Sequence, residues 1–361
     1  MKRVLITGGA GFIGRNLVRH FSHAGGYAIT ILDNFSRQVH GNAPDPVLLR
    51  SLKDQARIIR GDIRCKSDWL KGIEGQDLVI HLAAETGTSQ SMYEIERYAD
   101  VNVRGTAIFL DILARNPHGI RKVVLASSRA VYGEGKYRCE EHGVVYPEER
   151  RDSDLKRKDF EPKCGFCGKS VLVLPTDEAS RVHPSSVYGI TKQVQEQMMM
   201  MACNAIGMPC VSLRYQNVYG PGQSLLNPYT GILAIFASRI KNNKDINVFE
   251  DGLESRDFVY VDDAVRATVT AVEHKEADGE ILNVGSGAAT SILKAAEALK
   301  REFCSDAHIF VSGDYRIGDI RHGLADLSKI NRKLSFSSDV SFDEGSRYFV
   351  GWAKQQGNCD I

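Results

Sequence analysis

Val4-Leu5-Ile6-Thr7-Gly8-Gly9-Ala10-Gly11-Phe12-Ile13-Gly14 decides the fold. An apolar strand runs into a glycine turn, and a helix starts at once with Phe12, Ile13, Leu17 and Val18 on one face. Gly8 permits the tight turn, Gly11 lets a pyrophosphate approach the backbone, and Gly14 lets the helix pack close to the strand. Amides at the positive end of the helix then favour an anion. A second apolar strand, 28–32, ends at Asp33, nineteen residues after Gly14. A carboxylate there meets the hydroxyls of an adenosine ribose and repels a 2′-phosphate. The pattern points to NAD rather than NADP.

The chain has 361 residues, with 46 basic and 45 acidic side chains. That length fits one large α/β domain plus a smaller one. The near-zero net charge argues against a nucleic-acid or membrane-surface protein. No apolar run reaches the ~20 residues needed to span a bilayer. The N-terminus enters a strand directly, without the pattern of a signal peptide. Eight cysteines without an export signal suggest reduced thiols or metal ligands rather than a disulfide framework. A cytoplasmic location is expected.

Strands and helical patterns alternate through the first half. Residues 57–59 read as a third strand, followed by Gly61-Asp62-Ile63. Asp62 and Ile63 suit the flanks of an adenine ring, and Asp62 reads equally well as a loop carboxylate. Residues 77–82 form a fourth strand running into Leu82-Ala83-Ala84, small residues that leave room at the carboxyl end of a parallel sheet. Residues 91–115 read as one long helix containing Asn102. Residues 122–126 form a fifth strand and deliver Ser127-Ser128-Arg129-Ala130. The alternation implies a doubly wound (Rossmann) parallel sheet, an α/β fold. After about residue 215 the pattern turns irregular, punctuated by Gly220-Pro221-Gly222 and Asn227-Pro228. Residues 281–285 look like another strand, and 343–354 like an amphipathic helix. The expected partition has three parts. Residues 1–133 and 182–215 form the NAD-binding Rossmann domain. Residues 134–181 form an inserted cysteine-bearing segment. Residues 216–361 form a smaller C-terminal substrate lobe, with about 256–274 returning to the Rossmann domain.

Tyr188-Gly189-Ile190-Thr191-Lys192 sets a tyrosine and a lysine four apart, on one helix face. A phenol with a pKa of about 10 is a poor base at neutral pH. A neighbouring ammonium and a positive nicotinamide ring stabilise the phenolate, and bringing its pKa near neutrality takes ~4 kcal/mol.

At this point the sequence resembles the NAD-dependent sugar epimerase/dehydratase family of extended short-chain dehydrogenases/reductases. TGGAGFIG, Asp33, HLAA at 81–84, VNVRGT at 101–106, SSRAVYG at 127–133, YGITK at 188–192, RYQNVYGPGQ at 214–223, RDFVYVDD at 256–263 and RIGDIRH at 316–322 carry the likeness. The resemblance implies Ser128, Tyr188 and Lys192 as catalytic residues, with Asn34 and Asn102 added to the NAD site. It also implies substrate contacts by Ser128, Arg129 and Asn217, with Arg256 and Arg316 clamping a nucleotide diphosphate, as guanidinium forks suit phosphate oxygens. Dehydratases of this family carry an Asp-Glu pair after the serine, and this chain has Arg129-Ala130. Without those proton carriers elimination is disfavoured. The expectation is a nucleoside-diphosphate-sugar 4-epimerase acting on a dTDP- or UDP-linked sugar. Alternatives are a nucleotide-sugar reductase, dehydrogenase or dehydratase of the same family, or a non-enzymatic dinucleotide sensor. Family relatives pair the helix carrying Tyr188 and Lys192 with that at 91–115 across a homodimer, the expected assembly here. LDNFSRQVHG near Asp33, the insertion and YGITKQVQEQ most resemble the dTDP-L-rhamnose 4-epimerases.

Ser128 and Tyr188 stand 60 positions apart, more than family members usually show. The excess contains Cys139-x-x-His142 and Cys164-x-x-Cys167. Two short ligand pairs suit a structural zinc ion with three sulfurs and one nitrogen, the alternative being free loop thiols. Residues 136–169 hold nine basic and eight acidic residues, a mixed-charge surface rather than a nucleic-acid patch. The insertion leaves and rejoins the chain beside the catalytic residues, so a lid or wall for the sugar is expected. Methionines 198–201 read as helix packing.

Overall fold

The computed structural model describes residues 1–227, 229 and 231–357; Pro228 of the Asn227-Pro228 turn signal lies outside them. Seven parallel strands form the main sheet: β1 (Lys2–Thr7), β2 (Tyr27–Asp33), β3 (Arg57–Arg60), β4 (Leu78–His81), β5 (Lys122–Ser128), β6 (Cys210–Tyr215) and β7 (Ile281–Val284). Their order is β7-β6-β5-β4-β1-β2-β3. The order reverses between β1 and β4, so a crevice opens at the carboxyl ends there, as in a doubly wound Rossmann sheet.

Both faces of the sheet are covered, so its central strands are largely buried, near-continuous apolar runs such as Val4-Leu5-Ile6, Leu78-Val79-Ile80 and Val123-Val124-Leu125 rather than alternating. Val4 and Ile6 of β1 pack into one core with Leu17, Val18 and Phe21 of helix Phe12–Ala24. Leu5 faces the other core, with Trp69, Phe109 and Met199. There the Trp69 and Phe109 rings stack at 4.3 Å, and the indole N–H donates to the Ile63 carbonyl at 2.7 Å. Of the four methionines, Met199 is fully buried and Met201 exposed.

Three departures from the sequence reading matter. Residues 91–115 are not one helix. A short turn, Thr88–Ser91, precedes a helix that begins at Ile95, widens to a π-helix over Ala99–Arg104 and resumes as Gly105–Arg115. Such widened turns cluster at functional sites, and Asn102 lies in this one. Second, β7 pairs with β6 and so extends the main sheet, although it was expected in the lobe. A nearly continuous apolar run on a fully buried edge gives no clue to which sheet it joins. Third, Ser255–Tyr260 pairs with Asn217–Tyr219 and Ala289–Ser291 in a small separate sheet. Only the following helix, Val261–Glu273, packs back on helix Phe12–Ala24.

The rest of the lobe carries helices Ile232–Lys241, Ile292–Phe303 and Phe342–Gln355. The last starts at Ser341, whose hydroxyl accepts from the Glu344 amide at 3.3 Å, an N-terminal cap. The insertion forms a three-stranded antiparallel sheet of Gly143–Val145, Tyr137–Cys139 and Leu172–Val173 around a small core of its own. No helix among the described residues is long and apolar enough to cross a membrane.

Helix Val187–Ala205 is bolted to the sheet by a buried ion pair. Arg214 on β6 donates through Nη2 to Glu196 Oε1 at 2.6 Å and through Nε to Oε2 at 3.1 Å. Ser212 donates to the same carboxylate at 3.0 Å. Removing one partner of a buried pair leaves an uncompensated charge. Glu196→Ala should therefore lower the unfolding free energy by about 3–5 kcal/mol, and a loss under about 1 kcal/mol in urea denaturation would contradict this role.

Candidate active site

A cleft of about 560 Å³ runs along the carboxyl ends of the sheet. At one end lies the glycine loop. Gly8 has φ +69°, and a Cβ there would stand 2.9 Å from the Ala83 amide nitrogen. A Cβ on Gly14 would come within 2.2 Å of the Gly8 carbonyl oxygen. Only bare backbone fits, and that bareness lets a ligand reach the helix start. No side chain caps the helix at Gly11, so the amides of Phe12, Ile13 and Gly14 head it towards the cleft.

Asp33 is buried at the end of β2 and lines the cleft. Its Oδ2 accepts from the Ala10 amide at 2.9 Å and its Oδ1 from the Phe35 amide at 2.8 Å. Each oxygen keeps a further lone pair for a ribose hydroxyl. Burial raises its pKa, while the two amide bonds oppose that. Asn34, Asp62, Ile63, Leu82, Ala83 and Ala84 also line this end. Asn34 donates to Asp62 at 3.0 Å, and Arg64 holds the same carboxylate through Nε and Nη2. Burial pulls the Asp62 pKa upward, but those bonds win and bring it down to about 2. The bare glycine turn and the half-used Asp33 carboxylate fit the dinucleotide expected from the sequence.

Asn102, expected at the cofactor, does not line the cleft. Its Oδ1 accepts from the Glu85 amide at 2.8 Å, and its Nδ2 donates to the Glu85 carbonyl and the Thr191 hydroxyl, both at 3.0 Å. The side chain is spent joining the loop after β4 to helix Val187–Ala205. These hydrogen bonds, made from within the π-turn, satisfy a polar side chain that is fully buried.

Ser128 ends β5, and Tyr188 and Lys192 share one face of the helix, so all three line the cleft. Two features hold the helix there. Ser186 caps it, accepting from the Gly189 amide at 3.1 Å. Gly189 also lies so close to the turn after β5 that a Cβ would stand 2.5 Å from the Ala130 carbonyl oxygen. The sequence reading used neither, although a serine three residues before Gly189 is a capping signal.

Lys192 is buried and donates to the Ala126 carbonyl at 2.9 Å. Burial depresses its pKa to about 7. Burial also raises the Tyr188 phenol above its ordinary value, and a hydrogen bond with Ser128 pulls the other way. Burial thus opposes the charged form of both Tyr188 and Lys192. His81, behind Lys192, stays neutral, with burial as the main cause and Lys192 as the second. Its ring bridges the hydroxyls of Thr7 at 2.7 Å and Thr106 at 3.2 Å.

Arg129, Asn217 and Arg256 line the same cleft. Burial, then the nearby Arg256, lowers Arg129 to about 10. Neither guanidinium forms an ion pair with a described carboxylate. Arg129 donates to the Gly133 carbonyl, and Arg256 to the carbonyls of Ser255, Ile320 and Arg321. The Glu134 and Asp319 carboxylates act on them from nearby without closing an ion pair, which leaves the guanidinium N–H groups able to meet an anionic ligand. Ser127 Oγ and Asn217 Oδ1 are buried there without a hydrogen-bond partner among the described residues, and each offers a contact to a polar ligand. Arg316, expected beside Arg256, acts like it on Asp319 of the cleft, but its own side chain does not line the cleft. It is exposed and stacks on Phe249 at 4.8 Å. The motif spacing did not reveal that Arg129 supplies the second charge near Arg256. Arg15, one residue beyond the glycine motif, also lines the cleft, and no sequence pattern marks it.

Cys139, His142, Cys164 and Cys167 meet within the insertion, with their donor atoms all within 4.8 Å of one another.

A lysine held below its ordinary 10.5 weakens the fold wherever the unfolded chain is protonated. The penalty is complete below about pH 7 and fades as pH rises towards 10.5. Lys192→Met should therefore raise the Tm of the ligand-free protein at about pH 6, with the gain shrinking towards about pH 10. A gain that grows with pH in calorimetry would reverse this assignment.

The sequence profile of the NAD dependent epimerase/dehydratase family matches residues 4–150 and 165–285. The gap at 151–164 falls inside the insertion. A dTDP-L-rhamnose 4-epimerase from Burkholderia thailandensis is 36% identical over 357 residues, covering 98% of this chain and 96% of that protein. The crystal structure of a Thermotoga maritima UDP-glucose 4-epimerase with UDP-glucose has a TM-score of 0.79 at 28% identity, covering 97% of this chain and 98% of that one. A Bacillus cereus UDP-glucuronic acid 4-epimerase in complex with UDP-glucuronic acid and NAD also scores 0.79, at 26% identity, covering 98% and 99%. With the glycine loop, Asp33, Ser128, Tyr188 and Lys192 gathered along one cleft, this chain is an enzyme of the NAD dependent epimerase/dehydratase family.

Proposed function

We propose that the protein is a nucleoside-diphosphate-sugar 4-epimerase, with dTDP-L-rhamnose and dTDP-6-deoxy-L-talose as its sugar pair. One observation carries the reading: Ser128, Tyr188 and Lys192 converge at the end of β5, between the dinucleotide-shaped half of the cleft and the Arg129–Arg256 half. The dTDP-linked sugar follows the Burkholderia relative, while the structural neighbours above hold UDP-linked sugars.

In this reading the glycine loop, Asp33 and Lys192 hold NAD. When bound, NAD supplies the hydride acceptor and donor that let the sugar pass through a 4-keto form. Tyr188 takes the proton of the carbon-4 hydroxyl and later returns one to the ketone oxygen. Ser128 holds that oxygen by hydrogen bond and fixes its distance from the phenol. Arg129 and Arg256 bind the diphosphate, and Asn217 and Ser127 offer their unpaired oxygens to substrate hydroxyls. The residues after Ser128 carry no acid, so water is not eliminated from the sugar. The same reading includes a homodimer, a cytoplasmic location and a structural zinc ion at Cys139, His142, Cys164 and Cys167.

The test is a panel of dTDP-, UDP-, GDP- and CDP-sugars followed by NMR for inversion at carbon 4. Inversion with NAD retained on the protein, and none consumed from solution, supports the epimerase. Stoichiometric turnover of free NADH would instead mark a reductase. Tyr188→Phe should lower kcat by about 10²–10⁴-fold, as loss of a positioned acid–base group does. It should leave NAD content unchanged, and a variant retaining more than half of the wild-type kcat would remove Tyr188 from this role.

A further inference from the structure

The four cysteine and histidine donors of the insertion form more than a loose group. Cys139 Sγ lies 3.5 Å from His142 Nδ1 and 3.6 Å from Cys167 Sγ, and Cys164 Sγ lies 3.7 Å from His142 Nδ1. A tetrahedral zinc ion, with bonds of about 2.3 Å to sulfur and about 2.0 Å to nitrogen, sets neighbouring donors roughly 3.5–3.8 Å apart. All three thiols are free. Four protein donors leave no open position, so such an ion is structural rather than catalytic.

The strand Tyr137–Cys139 carries a ligand at one end and Tyr137 at the other. The buried Tyr137 hydroxyl donates to Glu134 Oε2 at 3.3 Å. That same oxygen accepts the backbone N–H of Arg321 at 2.9 Å. The carbonyls of Ile320 and Arg321 in turn hold the guanidinium of Arg256 in the cleft, at 2.9 and 3.0 Å. A second strut runs from the insertion through Arg150, whose side chain is 3% exposed. Arg150 donates to the Asp319 carbonyl at 2.8 Å and to both oxygens of Glu250 at 2.8 and 2.7 Å. Gly318, Asp319 and Ile320 line the cleft. The wall behind the substrate half is therefore hung on the insertion by hydrogen bonds to its backbone.

We propose that Cys139, His142, Cys164 and Cys167 bind one zinc ion whose role is to hold the wall 318–321, and through it Arg256, in place. The metal folds a segment too small to hold its shape by apolar burial alone, and the rigid segment then fixes the wall. Its effect on sugar binding rests on the function proposed above; the metal site and its hold on the wall do not.

The test uses the full chain, purified without chelator. Elemental analysis should find about one zinc per chain, released by a mercurial reagent. The Cys164→Ser/Cys167→Ser protein should lose the zinc and keep its NAD, which reports an intact Rossmann sheet. In hydrogen exchange, its amides at 318–322 should open about tenfold faster, while those of β1 and helix Phe12–Ala24 stay unchanged. Tyr137→Phe keeps every ligand, so it should retain zinc and show a smaller change at the same amides. If sugars are turned over, KM should rise by about tenfold in the double variant. Zinc-free wild-type protein, or a disulfide among these cysteines, would overturn the metal. Bound zinc with unchanged exchange at 318–322 on its loss would overturn the coupling. Zinc and altered exchange without turnover of any sugar would uphold the proposal and defeat the epimerase reading instead.

Discussion

The helix that carries Tyr188 and Lys192 can lie on the turn after Ser128 only because position 189 has no side chain. A single carbon there would meet the Ala130 carbonyl oxygen at 2.5 Å, well inside contact distance. Close backbone approach brings a strand end and a helix face, 60 positions apart in sequence, to one point of the cleft. The other restraints reinforce it. Ser186 sets where the helix starts, Glu196 and Arg214 clamp its middle to β6, and Asn102 joins it to the loop after β4. Lys192 can then be buried against the Ala126 carbonyl despite the unfavourable desolvation of an ammonium. That cost sits where chemistry is proposed, which is where folds concentrate such strain.

Features that were legible in the sequence were those set by local stereochemistry. A strand, a glycine turn and a helix leave few alternatives, and an acidic residue after the next strand has one place to go. Thus the glycine loop, Asp33, Ser128, Tyr188 and Lys192 do line one cleft. Helical spacing alone puts Tyr188 and Lys192 on one face. Features set by long-range packing were not legible. The fate of β7 depends on which sheet edge is vacant. The role of Asn102 depends on a π-turn that no periodicity announces. Arg316 and Arg129 illustrate the same limit. Both are arginines in family-like motifs, yet one stacks on Phe249 at the surface and the other lies beside Arg256 in the cleft. A guanidinium on a long flexible stem is not located by its sequence position.

Charge in the cleft is divided along its length. The dinucleotide-shaped half presents a carboxylate, Asp33, and uncapped helix amides. The other half presents two guanidiniums, Arg129 and Arg256, that make no direct ion pair, although the Glu134 and Asp319 carboxylates act on them. Such a division orients a ligand with an anionic middle before any specific contact forms. It also matches the roles proposed above, in which the positive pair binds the diphosphate and Ser128 and Tyr188, linked through their hydroxyl groups, handle the proton.

The detour between Ser128 and Tyr188 also bears on how the chain assembles. In the insertion Tyr137 pairs with Val173, so once that small sheet has formed the two strands lie side by side. The tether linking the partners of the cleft then shortens from about sixty residues to about twenty-four, which lessens the entropy of closing it by roughly 0.8 kcal/mol. During synthesis the insertion emerges before the helix that follows it. A compact, early-forming unit would therefore serve as a splint, bringing Ser128 and Tyr188 within reach before the surrounding sheet is complete.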